Sequence, residues 1–164
     1  NIRDYVVFYN FAIPEQEAPV EAVPTGIARG PDGAIYVGML TGYPYPDEEA
    51  SIWRVEDLNG DGDALDQGEA EPFVTGLTTV TDIAFGLDGT LYIAEFSSDT
   101  EKVLEGGDFS ENAKSMPGRV LVWDGSKTTV FADKVVSPTS LLATDSTLYI
   151  TEEFAGKVTK RPLD

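Results

Sequence analysis

An all-β fold built from propeller blades is what this sequence predicts, and three observations carry that prediction. Three segments repeat: Val23 to Leu40 (VPTGIARGPDGAIYVGML), Val80 to Phe96 (VTDIAFGLDGTLYIAEF) and Ser137 to Phe154 (SPTSLLATDSTLYITEEF). They align Tyr36, Tyr92 and Tyr149 at spacings of 56 and 57 residues, a period that points to propellers, solenoids or arrays. Within each repeat, short apolar runs alternate with Gly and Asp turns, and no stretch shows the amphipathic period of a helix. The first two units each contain four such runs, the strand count of a propeller blade.

The elements follow in order. Asp4–Tyr9 (DYVVFY) reads as an apolar strand and, by its place before the first unit, as the outer strand that completes a neighbouring blade. Blade one is expected at about 24–74. Its strands are Gly26–Arg29, Ala34–Met39, Ser51–Val55 and Glu71–Val74, with Pro31-Asp32-Gly33 turning between the first pair. Blade two, at about 80–132, has Ile83–Phe85, Thr90–Phe96, Gly118–Trp123 and Thr128–Ala132 around the turn Leu87-Asp88-Gly89. The third unit, 138–164, offers Leu141–Ala143, Thr147–Glu152 and Gly156–Lys160, with the shorter turn Asp145-Ser146. About three blades in a single domain of 164 residues cannot close a ring, which needs at least about four. Another chain or a further segment is expected to complete it.

Composition excludes several function classes. Twenty-nine acids against eleven bases give a net charge of −18, which argues against nucleic-acid partners because phosphate contacts need clustered Lys and Arg. Neither His nor Cys is present, so there is no Ser-His-Asp triad, no thiol nucleophile and no Cys/His zinc site; any metal must be held by oxygen. No apolar run reaches the roughly 18 residues of a transmembrane helix.

The sharpest motif is DLNGDGDALDQGE, Asp57 to Glu69. Asp57, Asn59, Asp61 and Asp63 alternate along it, and Gly62 can turn the chain. Calcium takes six to eight oxygen ligands, and such a loop wraps side-chain oxygens around one point. Asp57, Asn59 and Asp61 match EF-hand positions one, three and five, and Asp63 offers its carbonyl at seven. Position twelve is Gly68, so the final ligand is expected to be Glu69; Asp66 is a weaker candidate. The alternative is a solvated acidic turn, since Asn-Gly and Asp-Gly favour turns by themselves. The loop joins the third and fourth strands, away from the end where a channel mouth is expected, which suits a structural staple.

At that mouth the inner strands begin with Thr25, Thr81 and Thr139, whose hydroxyls are expected to bond neighbouring backbone. Asp82 is the adjacent acid, and Glu95 and Glu152 end second strands at matching positions. Two long loops flank the mouth: Thr41–Ala50, with Tyr43 and Tyr45 among prolines, and Ser97–Pro117. The tyrosines are candidate partner contacts. Trp53 and Trp123 are expected to pack between blades.

The stretches PTGIARGPDGAIYVGMLTGYPYP, SIWRV and LTTVTDIAFGLDGTLYIAEF resemble the ScyD/ScyE family of secreted, NHL-like β-propellers, over residues from about 22 to 160. The resemblance implies half of a six-bladed propeller, matching the C-terminal half of the family, and it implies export; it brings no defined reaction. The leading functional expectation is an exported, non-catalytic module that binds or scaffolds and is stabilised by calcium. One alternative is a lactonase-like hydrolase with a metal at the mouth, near Thr81, Asp82 and Glu95. The other is a structural subunit whose copies share strands, Asp4–Tyr9 being donated between chains.

Overall fold

The computed structural model describes residues 2–14, 17–100, 104–115 and 118–163. Three antiparallel sheets form in chain order. The first is β1 (Ala22–Arg29), β2 (Ile35–Thr41), β3 (Ala50–Val55) and β4 (Ala70–Leu77). The second is β5 (Val80–Phe85), β6 (Leu91–Glu95), β7 (Gly118–Trp123) and β8 (Thr128–Val135). The third has β9 (Pro138–Ala143), β10 (Thr147–Glu152) and β11 (Lys157–Pro162). Each sheet is a meander in which sequence neighbours pair, as the repeat pattern predicts.

Tight turns set the registers. Asp32 accepts the amide of Ala34 at 3.2 Å and Asp88 accepts that of Thr90 at 3.0 Å. Gly33 and Gly89 sit at φ 91° and 86°, a region that other residues enter only at a cost.

The sheets stack face on face, with β5 lying against both β1 and β9. Tyr36, Ile52, Val74 and Leu77 of the first sheet bury against Val80, Ile83, Leu91, Ile93 and Leu121 of the second. Ala84, Tyr92, Ala94 and Val120 of the second bury against Leu141, Leu148 and Ile150 of the third. The third core lies on the other face of the first sheet, around Val37, Met39, Val55 and Ala64.

Two expectations change. Asp4–Tyr9 forms no strand ladder among the described residues. Instead the segment lies across the outer face of the first sheet, where Val6 and Phe8 pack onto the third core and the Tyr5 carbonyl accepts the Ala64 amide at 2.7 Å. The loop after β6 is not wholly irregular either: it contains a helix, α1 (Phe109–Ser115). Asp108 caps it by accepting the Ser110 amide at 2.9 Å, and seven residues are too few to show a period in the sequence.

Candidate functional site

The end of the stack where β1, β5 and β9 begin is built around a repeated bulge. Ladder pairing skips a residue between Val80 and Asp82 and between Pro138 and Ser140, and skips two between Pro24 and Ile27. The skipped positions include Thr25, Thr81 and Thr139. A bulge re-aims its side chain, and here it aims the hydroxyl at the next sheet. Thr25 donates to the Val80 carbonyl at 2.9 Å, and Thr81 to the Pro138 carbonyl at 2.7 Å. Thr139 instead meets the hydroxyl of Thr151 at 3.0 Å.

Asp82 belongs to the same set of inter-sheet contacts. One of its oxygens accepts the Leu141 amide at 2.7 Å and the Ser140 hydroxyl at 3.0 Å, both on the third sheet. The position equivalent to Asp82 in the first sheet is Gly26. A Cβ there would lie 2.6 Å from the Asp82 carboxylate and 2.7 Å from its Cα, so only glycine permits this approach.

Glu95 and Glu152 are buried rather than displayed at an open mouth. Glu95, at 0% exposure, accepts the Thr78 amide at 2.7 Å and pairs with Arg119. Glu152 accepts the Val136 amide at 2.9 Å, with Lys157 at 3.5 Å. Thr78 and Val136 lie in the linkers that carry the chain from one sheet to the next, followed by Thr79 and Ser137 at φ 44° and 49°. Each glutamate therefore ties a strained linker to the second strand of the sheet that follows. Met39 occupies this place in the first sheet.

Above these contacts lies a half-open cavity of about 240 Å³ whose lining includes Tyr45, Thr81, Phe96, Thr100, Phe109 and Phe154. Phe96 stacks on Phe109 at 6.0 Å between ring centres, and Phe154 meets both edge-on at 6.1 and 5.9 Å. Thr100 closes the loops on each other by donating to the Tyr45 carbonyl at 2.9 Å and the Asp47 carboxylate at 2.7 Å. Tyr45 lines the cavity, whereas Tyr43 is exposed beside it, 6.2 Å away between ring centres. Sequence reasoning missed Phe96, Phe109 and Phe154. Phe96 and Phe154 follow the matching Glu95 and Glu152 by one and two residues, an aromatic just past each of two second strands that is a legible signal.

The acidic loop lies at the other end, between β3 and β4. Asp57 accepts the amides of Gly60 at 2.6 Å and Gly62 at 2.9 Å. Asn59, Asp61 and Asp63 each accept the amide two residues on, at 2.8, 3.2 and 3.2 Å. Glu69, alone among the five expected ligands in being buried, accepts from Leu58 at 3.0 Å and Asp66 at 3.1 Å and so clasps the loop's two ends. The Asn59 side-chain amide stands between two carboxylates, 3.2 Å from Asp61 and 2.8 Å from Asp66. The all-oxygen donor chemistry fits a hard cation. Among the described residues, however, no group of three or more acidic side chains is gathered closely enough to hold one.

No family model and no curated protein matches this sequence.

Proposed function

We propose that this chain is a propeller module that binds or scaffolds without doing chemistry. In this reading it is exported to the periplasm or beyond, uses calcium to brace the β3–β4 loop, and has a protein partner or second copy completing its ring of blades. One observation carries the non-catalytic part. The carboxylates expected at the mouth, Asp82, Glu95 and Glu152, each accept backbone amides that join one sheet to the next. A general acid or base needs a proton-carrying atom directed at substrate, and these oxygens are directed at the fold. Binding is supported by the aromatic cavity, whose size suits a small ring or aliphatic group. Export rests on the resemblance to ScyD/ScyE, and a charge of −18 suits a salty exterior that screens it.

Asp57, Asn59, Asp61, Asp63 and Glu69 would hold the calcium after turning toward it from the backbone amides they accept here. The ion would supply positive charge where the Asn59 amide now separates Asp61 from Asp66, and would stabilise the fold by binding only its folded form. Calorimetric titration with Ca²⁺, alongside assays of lactone hydrolysis, tests the reading. Binding that raises the melting temperature and is abolished in Asp57→Asn is expected, with no turnover. Calcium-dependent lactone hydrolysis lost in Asp82→Asn would overturn the non-catalytic reading, and absence of binding at millimolar calcium would overturn the brace.

A further inference from the structure

The two internal interfaces state a rule for what joins one blade-like sheet to the next. On the giving side a tyrosine of the second strand is buried: Tyr36 is 5% exposed and Tyr92 is 3%. On the receiving side an aliphatic residue of the inner strand is buried: Ile83 is 3% exposed and Leu141 is 8%. An inner-strand threonine crosses the joint to a carbonyl, and an outer strand covers the third strand of the following sheet, as Phe73 of β4 meets Trp123 of β7.

Both ends of the stack present one half of this rule. Tyr149, equivalent to Tyr36 and Tyr92, is 39% exposed on the free face of the third sheet, with Leu142 and Val158 beside it. Thr139, equivalent to Thr25 and Thr81, contacts no further sheet. At the opposite end Ile27, equivalent to Ile83 and Leu141, is 69% exposed on the receiving face of the first sheet. The outer half of that face is covered by Val6 and Phe8, with Phe8 edge-on to Trp53 of β3 at 5.5 Å. Residues 4–9 thus stand to the first sheet as β4 stands to the second: in the place of an outer strand belonging to a preceding blade. Among the described residues, β11 is an edge strand with no outer strand.

We propose that two copies of this chain join head to tail twice, at both ends of the stack. The third sheet of each packs on the first sheet of the other, and residues 4–9 of each pair with β11 of its partner. This rests on the propeller reading above. The surfaces that would meet continue interfaces already formed twice within the chain. Charge adds to the argument for a second copy. β11 concentrates Lys157, Lys160 and Arg161, three of eleven cations, in six residues of a chain with net charge −18. Such an edge favours an acidic strand, and residues 4–9 bring Asp4 to it. A head-to-tail contact that closes at two copies yields a discrete dimer rather than a fibre.

The test is light scattering on the full chain after size-exclusion chromatography, with Ile27→Glu and Leu142→Glu as variants. Both residues are exposed in the single chain, so neither change should alter its circular dichroism. A dimer is expected for the parent, and each variant should weaken it about tenfold or more. Tyr43→Ala, at the mouth, should leave it intact. Oxidation of Val7→Cys/Thr159→Cys and of Tyr5→Cys/Thr159→Cys should yield a covalent dimer in at least one pairing. A parent that stays monomeric, or a dimer indifferent to both glutamates, overturns the proposal, while calcium binding and the mouth cavity are still judged by their own test. A dimer that responds to the glutamates but is trapped by neither cysteine pair overturns strand donation.

Discussion

Glu95 shows how much depends on a single buried charge. Its carboxylate satisfies a linker amide and faces Arg119, with no exposure to water of its own. Glu95→Ala leaves the Thr78 amide without its acceptor and Arg119 without its partner, and a loss of about 1–3 kcal/mol is expected in urea unfolding. Glu95→Gln keeps an acceptor for Thr78 and should lose less. Thr81→Val removes a hydroxyl that crosses to the next sheet and should lose about 1 kcal/mol, whereas Thr81→Ser should be close to neutral. Asp88 gives the pH dependence. The backbone amide and hydroxyl of Thr90 hold its carboxyl below the usual carboxylate range. A depressed folded value means this stabilisation is full above the unfolded pKa of about 3.9 and fades as pH falls through the folded one. Acid titration followed by circular dichroism should show a shallower low-pH limb in Asp88→Asn.

The elements divide into those that a local pattern dictates and those that a neighbour dictates. Strands β1 to β11 were legible because alternating apolar runs and Asp-Gly turns act over a few residues, and Tyr36, Tyr92 and Tyr149 aligned their repeats. The bulges at Thr25, Thr81 and Thr139 left no local mark, since they exist to meet the adjacent sheet. The same holds for Glu95 and Glu152: two matching acids suggest an open mouth until the linkers fold over them. Asp4–Tyr9 has a strand's composition, but a strand needs a ladder, and the described residues provide none. The alternating acids of the β3–β4 loop were visible, while their engagement with backbone amides came only with the fold. Gly26 offers a test at this scale. A methyl group there meets the Asp82 backbone at 2.7 Å, so Gly26→Ala should prise β1 from β5 and lower stability by about 1–3 kcal/mol. Replacing Gly60, where an added Cβ would meet nothing within 4 Å but φ is 80°, should disturb the loop but not this joint.

For the whole molecule, charge and stacking set the behaviour. A net charge of −18 makes the compact state repel itself. Raising salt from about 0.1 M to about 1 M shortens the screening length from about 10 Å to about 3 Å, so the urea midpoint should rise across that range. Among the described residues the three sheets form a short row, with consequences for how the protein breathes, and the middle sheet is sandwiched between the other two. In a linear array, local opening is easiest at units with one neighbour. In the single chain amide protons should therefore exchange slowest along β6 and fastest along β11, a gradient that pairing of β11 with a second copy would flatten.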